Sequence, residues 1–216
     1  LTYGLTPQAE IRGIDLKFNE ESTEFTTVYR DREQGRIKIK LPGIHNVKNS
    51  LAALAVGLEL EIPFGKIKKA LEEFSGVHRR FEIKAEVNGV LVIDDYAHHP
   101  TEIKASLKAA REGWGRRIVA VFQPHLYSRT RDFHSDFGQS FFDADILVVT
   151  DIFPAREDPI PGITGELVAD SARSFGHRQV IYIPAKEEIP EYLKSIVHED
   201  DMVITHDGAE SLTSFP

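Results

Sequence analysis

The stretch V-I-D-D-Y-A-H-H-P-T-E-I, residues 92–103, joins an apolar run to the start of a helix. The apolar residues Val90–Ile93 predict a strand, and Pro100 predicts a helix over Thr101–Glu112, because proline fits the first turn of a helix. Two acids, a tyrosine and two histidines lie between them, and neither a strand end nor a helix start requires so many titratable groups. The stretch therefore predicts a strand-to-helix connection that binds a ligand.

The alternation of strand and helix continues towards the C-terminus. Further strands are predicted at Arg117–Phe122, Ile146–Thr150, Val180–Ile183 and Met202–Thr205, and further helices at Arg131–Phe142, Thr164–Phe175 and Lys186–Val197. Strands that alternate with helices form βαβ units, in which the strands are parallel. The sequence thus predicts the α/β class, with a mostly parallel sheet and flanking helices.

The pattern towards the N-terminus is different. Asn88-Gly89 predicts a tight hairpin between Phe81–Val87 and the strand that begins at Val90. Earlier in the chain, strands are predicted at Glu24–Tyr29 and Arg36–Leu41 around a turn at Arg32–Gly35, and helices at Asn46–Glu59 and Phe64–Phe74. Residues 1–78 therefore contribute at least two strands and two helices.

Composition excludes several classes of protein. The 216 residues suffice for one large or two modest domains, and no apolar run approaches the ~20 residues that cross a membrane. The net charge of -8 argues against a nucleic-acid-binding protein. The absence of cysteine excludes disulfides and thiolate metal sites and fits a reducing cytoplasm. Because the chain begins at Leu1, without Met or a signal-peptide pattern, we expect a cytoplasmic fragment of a longer protein.

Polar residues follow three of the predicted strands, at the edge where such sheets bind ligands. These clusters are Asp94-Asp95, Gln123-Pro124-His125 and Asp151. If the strand continues through Asp94 and Asp95, the two carboxylates point to opposite faces, so that one binds a ligand and the other is structural. A carboxylate accepts hydrogen bonds from ribose hydroxyls or binds Mg²⁺. His98 and His99 bind an anion when protonated and a metal when neutral.

Four other segments each allow a binding and a structural interpretation. H-N-V-K-N, residues 45–49, offers two asparagine amides to a purine, or caps a helix. Arg79 and Arg80 suit a phosphate, or form a surface ion-pair cluster. The segment F-Q-P-H-L-Y-S-R-T-R-D, residues 122–132, carries His125, Arg129 and Arg131 and suits an anion, or is a solvated helix start. The proline-rich loop 152–162 is a binding loop or a plain connection.

These segments, in this order, resemble the Mur ligase family. The resemblance rests on L-P-G-I-H-N-V-K-N, G-V-H-R-R-F-E, D-D-Y-A-H-H-P-T-E-I, V-F-Q-P-H-L-Y-S-R-T-R-D and F-P-A-R-E-D-P-I-P-G, and it covers nearly the whole chain. It implies that residues 1–78 are the tail of a central α/β ATPase domain. Residues 79–216 then form the family's C-terminal domain, with a Rossmann-like, mostly parallel sheet.

The resemblance also implies a reaction and a set of site residues. Members of the family form an acyl-phosphate from ATP and a carboxylate, which an amine then attacks. The D-D-Y-A-H-H-P-T-E and F-Q-P-H-L-Y-S-R-T-R runs resemble the branch whose substrates are UDP-N-acetylmuramate and L-alanine, with ATP and Mg²⁺. For the nucleotide, the resemblance implies that His45, Asn46 and Asn49 contact the adenine, that Arg80 binds the phosphates and that Asp95 binds the ribose. Tyr96 and His98 would line the cleft between nucleotide and acceptor. His125 and Arg129 would bind the muramyl carboxyl or the incoming alanine.

The chain departs from the family at three places. The phosphate-binding loop and the metal ligands lie upstream in the family, so we expect this chain to need the missing N-terminal domains of the same ligase and to be inactive alone. Leu126 stands where the family often has arginine, which weakens the prediction of a carboxylate held by paired arginines. The end of the chain, T-H-D-G-A-E-S-L-T-S-F-P, departs from the family's Gly-Ala-Gly pattern.

Three alternatives remain open at this point. A ligase of the same family that joins a murein peptide to the same carboxyl carries similar motifs. A non-catalytic module would bind the nucleotide without consuming it. A metal-dependent hydrolase would use a set of acids and histidines, namely Asp94, Asp95, His98, His99 and His125.

Overall fold

The structure is a computed structural model that describes residues 1–206. The chain forms two compact units. The first comprises Leu1–Gly76 with Glu112–Trp114, and the second comprises Val77–Arg111 and the chain from Gly115 onwards. The divergent C-terminal stretch, residues 207–216, lies outside the described residues.

The first unit contains a four-stranded sheet in the order β1-β2-β3-β4, in which β1 and β2 are parallel and the other pairs antiparallel. The strands are β1 Tyr3–Gly4, β2 Ile11–Asn19, β3 Ser22–Tyr29 and β4 Arg32–Ile39. The predicted turn at Arg32–Gly35 is wrong, because the hairpin turns at Arg30 and Asp31, which have φ values of 47° and 62°. Gly35 instead marks an irregularity within β4, where the register with β3 shifts.

Two helices, α1 Ile44–Glu59 and α2 Phe64–Glu73, complete the first unit. Both were predicted to within two residues at either end. The buried face of α1 presents Leu51 and Leu54 to the same apolar core as Ile11, Phe25 and Ile37 from the sheet. Burial of these side chains, each worth roughly 1.5–3 kcal/mol, is what stabilises the unit.

The second unit contains a six-stranded sheet in the order β5-β6-β10-β7-β8-β9. Only β5 is antiparallel to its neighbour, and all other pairs are parallel. The elements are β5 Glu82–Val87, β6 Val90–Asp95, α3 Pro100–Gly113, β7 Arg117–Phe122, α4 Tyr127–Gly138, β8 Ile146–Val149, α5 Glu166–Ser174, β9 Val180–Tyr182, α6 Ile189–Ile196 and β10 Asp201–His206. The predicted α/β class with a mostly parallel sheet is confirmed.

The last strand in the described chain is inserted at the centre of this sheet. β10 pairs with β6 on one side, where His206 lies opposite Asp95, and with β7 on the other, where His206 lies opposite Phe122. One core cluster of the sheet combines valines of several strands with Ile189 and Leu193 of α6. The carboxyl ends of β6, β10 and β7 therefore form one continuous edge.

Helix α4 begins at Tyr127, four residues before the predicted start, and ends at Gly138, four residues before the predicted end. The apolar period of Phe133, Phe137 and Phe141 suggests a longer helix, but the chain leaves the helix before the last of them. The difference places Arg129 in the first helical turn rather than in a loop. None of the helices within residues 1–206 is both long enough and apolar enough to cross a membrane.

Candidate ligand site at the carboxyl ends of the parallel strands

Asp94 is a structural residue of the sheet. Its side chain is 1% exposed, and β6 continues through it rather than ending before it. The Arg79 guanidinium donates from Nε to Asp94 Oδ2 at 3.1 Å, and the Thr205 hydroxyl donates to Oδ1 at 3.1 Å. Breaking a buried ion pair of this kind leaves an uncompensated charge, so Asp94 and Arg79 must be retained together.

Asp95 is the last residue of β6, and its side chain leaves the opposite face of the strand from that of Asp94. It is 7% exposed. The two adjacent acids are thus separated as the sequence predicts, with one inside an ion pair of the sheet and the other at the strand terminus. A carboxylate at this edge of a parallel sheet lies where such folds bind ligands.

Tyr96 lies beside two guanidinium groups at the end of β6. Its backbone N–H donates to Arg79 O at 2.7 Å, and its ring is 37% exposed. The ring centroid lies 4.9 Å from Arg79 Cζ and 5.9 Å from Arg80 Cζ, within the range of cation–π attraction. The tyrosine therefore brings the G-V-H-R-R-F segment and the end of β6 into one cluster.

Glu102 joins Arg80 and His98, two residues that the sequence assigns to the site. It accepts a hydrogen bond from the His98 backbone N–H at 3.1 Å, and its other oxygen lies 3.4 Å from Arg80 Nη1. Burial acts to raise the pKa of Glu102, but the hydrogen bond from His98 and the charges of His98 and Arg80 lower it by more. No sequence motif assigns Glu102 to the site, because its partners Arg80 and His98 lie outside its own helix.

His125 and Arg129 lie next to this cluster. The His125 ring stacks on Phe153 at 5.5 Å, and its centroid is 6.3 Å from that of His98. Its Nδ1 is buried and has no hydrogen-bond partner within residues 1–206. Arg129 Nη1 donates weakly to His98 O at 3.4 Å. The structure thus brings together Arg80, Tyr96, His98, His125 and Arg129.

The proline-rich loop is attached to the segment that carries His125. Phe153 N–H donates to Pro124 O at 2.8 Å, and Leu126 N–H donates to Phe153 O at 3.0 Å. The Glu157 carboxylate accepts from the backbone N–H of Ser128 at 2.9 Å and from its hydroxyl. The backbone N–H and the hydroxyl of Ser128, in the first turn of α4, are therefore bound by a carboxylate of the same chain.

We expect Glu157→Gln to lower the urea midpoint of the chain at pH 7. The hydrogen bonds from Ser128 and the charge of Arg129 lower the pKa of Glu157, so its contribution is present above the unfolded pKa and is lost as the pH falls through the folded pKa. The difference between the variant and wild type should therefore shrink below about pH 4. Urea titrations at several pH values measure it, and Asp158→Asn, at the neighbouring exposed acid, is the control.

His45, Asn46 and Asn49 belong to the first unit, at the start of α1. Asn46 Nδ2 donates to Pro42 O at 2.8 Å, and Asn49 Nδ2 donates to Asn46 Oδ1 at 3.4 Å. The two amides lie on one helical face, as their spacing predicts. Much of the hydrogen-bonding capacity of Asn46 is already used within the chain.

The donor set required for a metal-dependent hydrolase is not assembled. Within residues 1–206, no group of three or more histidines and acids is placed to hold a metal ion. Asp94 is bound to Arg79 and Thr205, and His99 Nδ1 accepts from Thr101 N–H at 3.3 Å.

Comparison with known families identifies the class of protein. Residues 79–206 match the family described as Mur ligase, glutamate ligase domain, and residues 1–57 match the Mur ligase middle domain. The chain belongs to the Mur ligase family, as the sequence motifs predict.

Within the family, the chain is similar to ligases of one particular name. The chain is 52% identical over 205 residues to the UDP-N-acetylmuramate–L-alanine ligase of Salinibacter ruber, covering 94% of this chain and 43% of the relative. It is 50% identical over 206 residues to the enzyme of the same name from Trichlorobacter lovleyi, covering 95% of this chain and 45% of that relative. The chain thus spans less than half the length of the curated relatives it matches.

Solved structures of ligases with the Mur ligase fold also superpose on this chain. The UDP-N-acetylmuramate-alanine ligase of Thermotoga maritima superposes with a TM-score of 0.78 at 29% identity, covering 98% of this chain and 45% of that one. A murein peptide ligase of Psychrobacter arcticus gives a TM-score of 0.68 at 22% identity, covering 98% of this chain and 44% of that one. At that identity the second likeness shows the fold alone.

Proposed function

We propose that this chain is part of an ATP-dependent ligase that joins L-alanine to UDP-N-acetylmuramate. The observation that carries the proposal is a cluster of side chains at one edge of the sheet, formed by Arg80, Tyr96, His98, His125 and Arg129. The relatives that are about half identical to this chain bear the name of that ligase. In this proposal residues 1–78 end the central ATP-binding domain, and residues 79–216 form the C-terminal domain.

Two residues of the second unit, Asp95 and Arg80, would contact the nucleotide. Asp95 accepts hydrogen bonds from the ribose hydroxyls, because a carboxylate has acceptors for both. Arg80 binds the phosphates, and its half-exposed ion pair with Glu102 is weak enough to be exchanged for a stronger one. For His45, Asn46 and Asn49, in the first unit, the family resemblance implies contact with the adenine.

The acceptor substrates would lie beside His125 and Arg129. Arg129 binds the muramyl carboxyl or the carboxylate of alanine, for which a planar guanidinium is suited. Leu126 stands where the family often has arginine, so the His125 imidazole supplies the second polar group. Its buried Nδ1 is a group for which a bound ligand would provide a partner.

When bound, ATP supplies the phosphoryl group that activates the muramyl carboxyl. The residues of this chain orient the reactants and offset negative charge around the transferred group, which are the main protein contributions to phosphoryl transfer. Arg80 and Arg129 supply the positive charge, and Tyr96 and His98 line the space between nucleotide and amine. Mg²⁺ is expected to be held by the part of the ligase that precedes this chain.

Reconstitution tests the proposal. The part of the Salinibacter ruber ligase that precedes the matched region is fused to this chain, and the chimera is incubated with ATP, Mg²⁺, UDP-N-acetylmuramate and L-alanine. We expect phosphate release that depends on alanine, and none from the chain alone. A folded chimera that is inactive while the intact relative turns over would contradict the ligase, and turnover by the chain alone would contradict its role as one part.

In the same chimera, Arg129→Gln is expected to lower kcat/KM by about 10- to 100-fold, because a hydrogen bond to a charged group contributes roughly 1.5–3 kcal/mol. Arg131→Gln is the matched control, since Arg131 lies on the same helix and its half-exposed guanidinium pairs with the neighbouring Asp132. Equal losses in the two variants would remove Arg129 from the site. Offering a murein peptide in place of L-alanine separates the related peptide ligase.

A further inference from the structure

Glu102 contacts residues from outside its own helix. Its carboxylate accepts from the His98 backbone N–H at 3.1 Å and lies 3.7 Å from His98 Nδ1. Its other oxygen lies 3.4 Å from Arg80 Nη1. A glutamate in the first turn of a helix can cap it by reaching back to a backbone N–H just before the helix, and the bond to the His98 N–H is of this kind. The contacts with the His98 ring and with Arg80, 22 positions away, are not part of such a cap.

We propose that Glu102 is a positioning residue, which fixes the orientation of His98 and holds Arg80 beside the phosphate site before the nucleotide binds. The structural part of the proposal concerns this chain alone. Its consequence for catalysis rests on the proposed ligase function.

The orientation of His98 follows from its hydrogen bonds. His98 Nδ1 lies 2.9 Å from Tyr96 O, and because a carbonyl only accepts, Nδ1 carries the proton. A neutral imidazole protonated at Nδ1 has its lone pair on Nε2. Glu102 supports this arrangement twice, because it holds the His98 backbone and places a negative charge near the protonated nitrogen. Nε2 of His98 is therefore set as an acceptor for an N–H of a substrate.

Arg80 is held in a different way. Its side chain is about half exposed and meets Glu102 at 3.4 Å, while its Cζ lies 5.9 Å from the Tyr96 ring. Exposed ion pairs of this kind contribute little, so a phosphate with more charge and more acceptor oxygens can replace the carboxylate. Glu102 keeps its bond to His98 when Arg80 is exchanged. One carboxylate therefore connects the phosphate-binding arginine with the histidine on the acceptor side.

The structural part is tested by NMR on the 216-residue chain. Long-range ¹H–¹⁵N spectra at about pH 8.5, where imidazoles are neutral, report which nitrogen of His98 carries the proton. We expect the Nδ1–H form to predominate in wild type. In Glu102→Gln the ratio of Nδ1–H to Nε2–H should fall by about threefold or more, because the nearby charge is lost. Glu112→Gln, at the other acid of α3, should leave the ratio unchanged.

The catalytic part is tested in the chimera. Glu102→Gln should lower kcat by about 10- to 100-fold, the cost of a misplaced catalytic group, with the KM for UDP-N-acetylmuramate changed by less than about twofold. Glu102→Asp, which retains the charge, should recover part of the loss. An unchanged tautomer ratio in Glu102→Gln overturns the positioning role whatever the activity. An altered ratio with unchanged kcat overturns its catalytic consequence. An inactive wild-type chimera instead contradicts the proposed ligase and leaves the NMR result standing.

Discussion

Gly165→Ala is expected to destabilise the second unit by about 3 kcal/mol, near the upper end for inserting a methyl group into packed structure. A β-carbon at Gly165 would lie 2.1 Å from Thr150 O and 3.1 Å from Asp151 Cα. Both are backbone atoms just after the end of β8, so no side-chain rotation relieves the overlap. To accommodate the added methyl group, the backbone at the start of α5 must move away from the end of β8.

The same movement would break a hydrogen bond at the site. Gly165 N–H donates to Asp151 Oδ1 at 3.0 Å, and Ile152 N–H donates to the same oxygen at 2.8 Å. Asp151 thus closes the two ends of the proline-rich loop, and the variant should release that loop as well as weaken the sheet. We expect faster amide exchange at Ile152 in addition to a lower urea midpoint.

Gly115→Ala is the matched control for this variant. A β-carbon at Gly115 meets nothing within 4 Å, and its φ lies outside the left-handed region. Its effect on the urea midpoint should correspond to less than about 0.5 kcal/mol. Similar effects in the two variants would show that the approach of α5 to β8 is looser than the structure indicates.

His206→Leu is expected to stabilise the chain, and more strongly in acid than at neutral pH. His206 is 0% exposed at the end of the central strand, and within the described chain neither ring nitrogen has a hydrogen-bond partner. A buried polar group without a partner costs about 1–3 kcal/mol. Leucine has a similar volume and no polar atom, so the substitution should recover much of this cost at pH 7.5.

The dependence on pH follows from the pKa of His206. Burial lowers this pKa to about 3, against the opposing influence of the Asp94 charge. The unfolded chain, with a histidine pKa near 6.5, therefore binds a proton that the folded chain does not. Between those two values the stability of wild type falls as the pH falls, by up to about 1.4 kcal/mol per unit. The advantage of His206→Leu should grow by about 2 kcal/mol between pH 7.5 and pH 5.

Urea unfolding of both proteins at pH 7.5 and pH 5 measures this difference. His78→Leu is the control, because the His78 side chain is 71% exposed and its replacement should change stability by less than about 0.5 kcal/mol. A His206→Leu variant that is less stable than wild type at both pH values would mean that the imidazole has a partner that compensates its burial.

Local sequence patterns were sufficient to predict many of the strands and helices of the second unit. Arg117–Phe122 is a strand over the predicted residues because its apolar run ends at charged and polar positions. Asn88 and Gly89 have φ values of 50° and 77°, which a tight hairpin requires, so the predicted hairpin is confirmed. Such signals depend on a few neighbouring residues, and tertiary contacts did not override them.

Strand β2 was not predicted, and the structure gives the physical reason. The alternation of apolar and polar residues changes phase near Asp15, which has a φ of 52°. The register between β2 and β3 shifts at the same place, between Ile14 and Lys17. A bulge of this kind divides one strand into two short patterns, neither of which has the period of a full strand.

The site was predictable in its location more than in its contacts. The polar clusters after successive strands indicate the correct edge of the sheet, because parallel strands place their carboxyl ends together. The roles of Glu102 and Glu157 were missed, since each interacts with residues about 20 or more positions away, at Arg80 and Ser128. No periodicity or short motif encodes contacts at that separation.

The central position of β10 has a consequence for how the second unit is made. Until Asp201–His206 has been synthesised, β6 and β7 have no strand between them, and the hydrogen bond from Thr205 to Ile93 must wait for residues 112 positions apart. Pairing at such separation is slow, because a long loop must close before any contact compensates for it. During translation the ribosome therefore carries a sheet with an open middle, whose unpaired strand edges are the segments most in need of a chaperone.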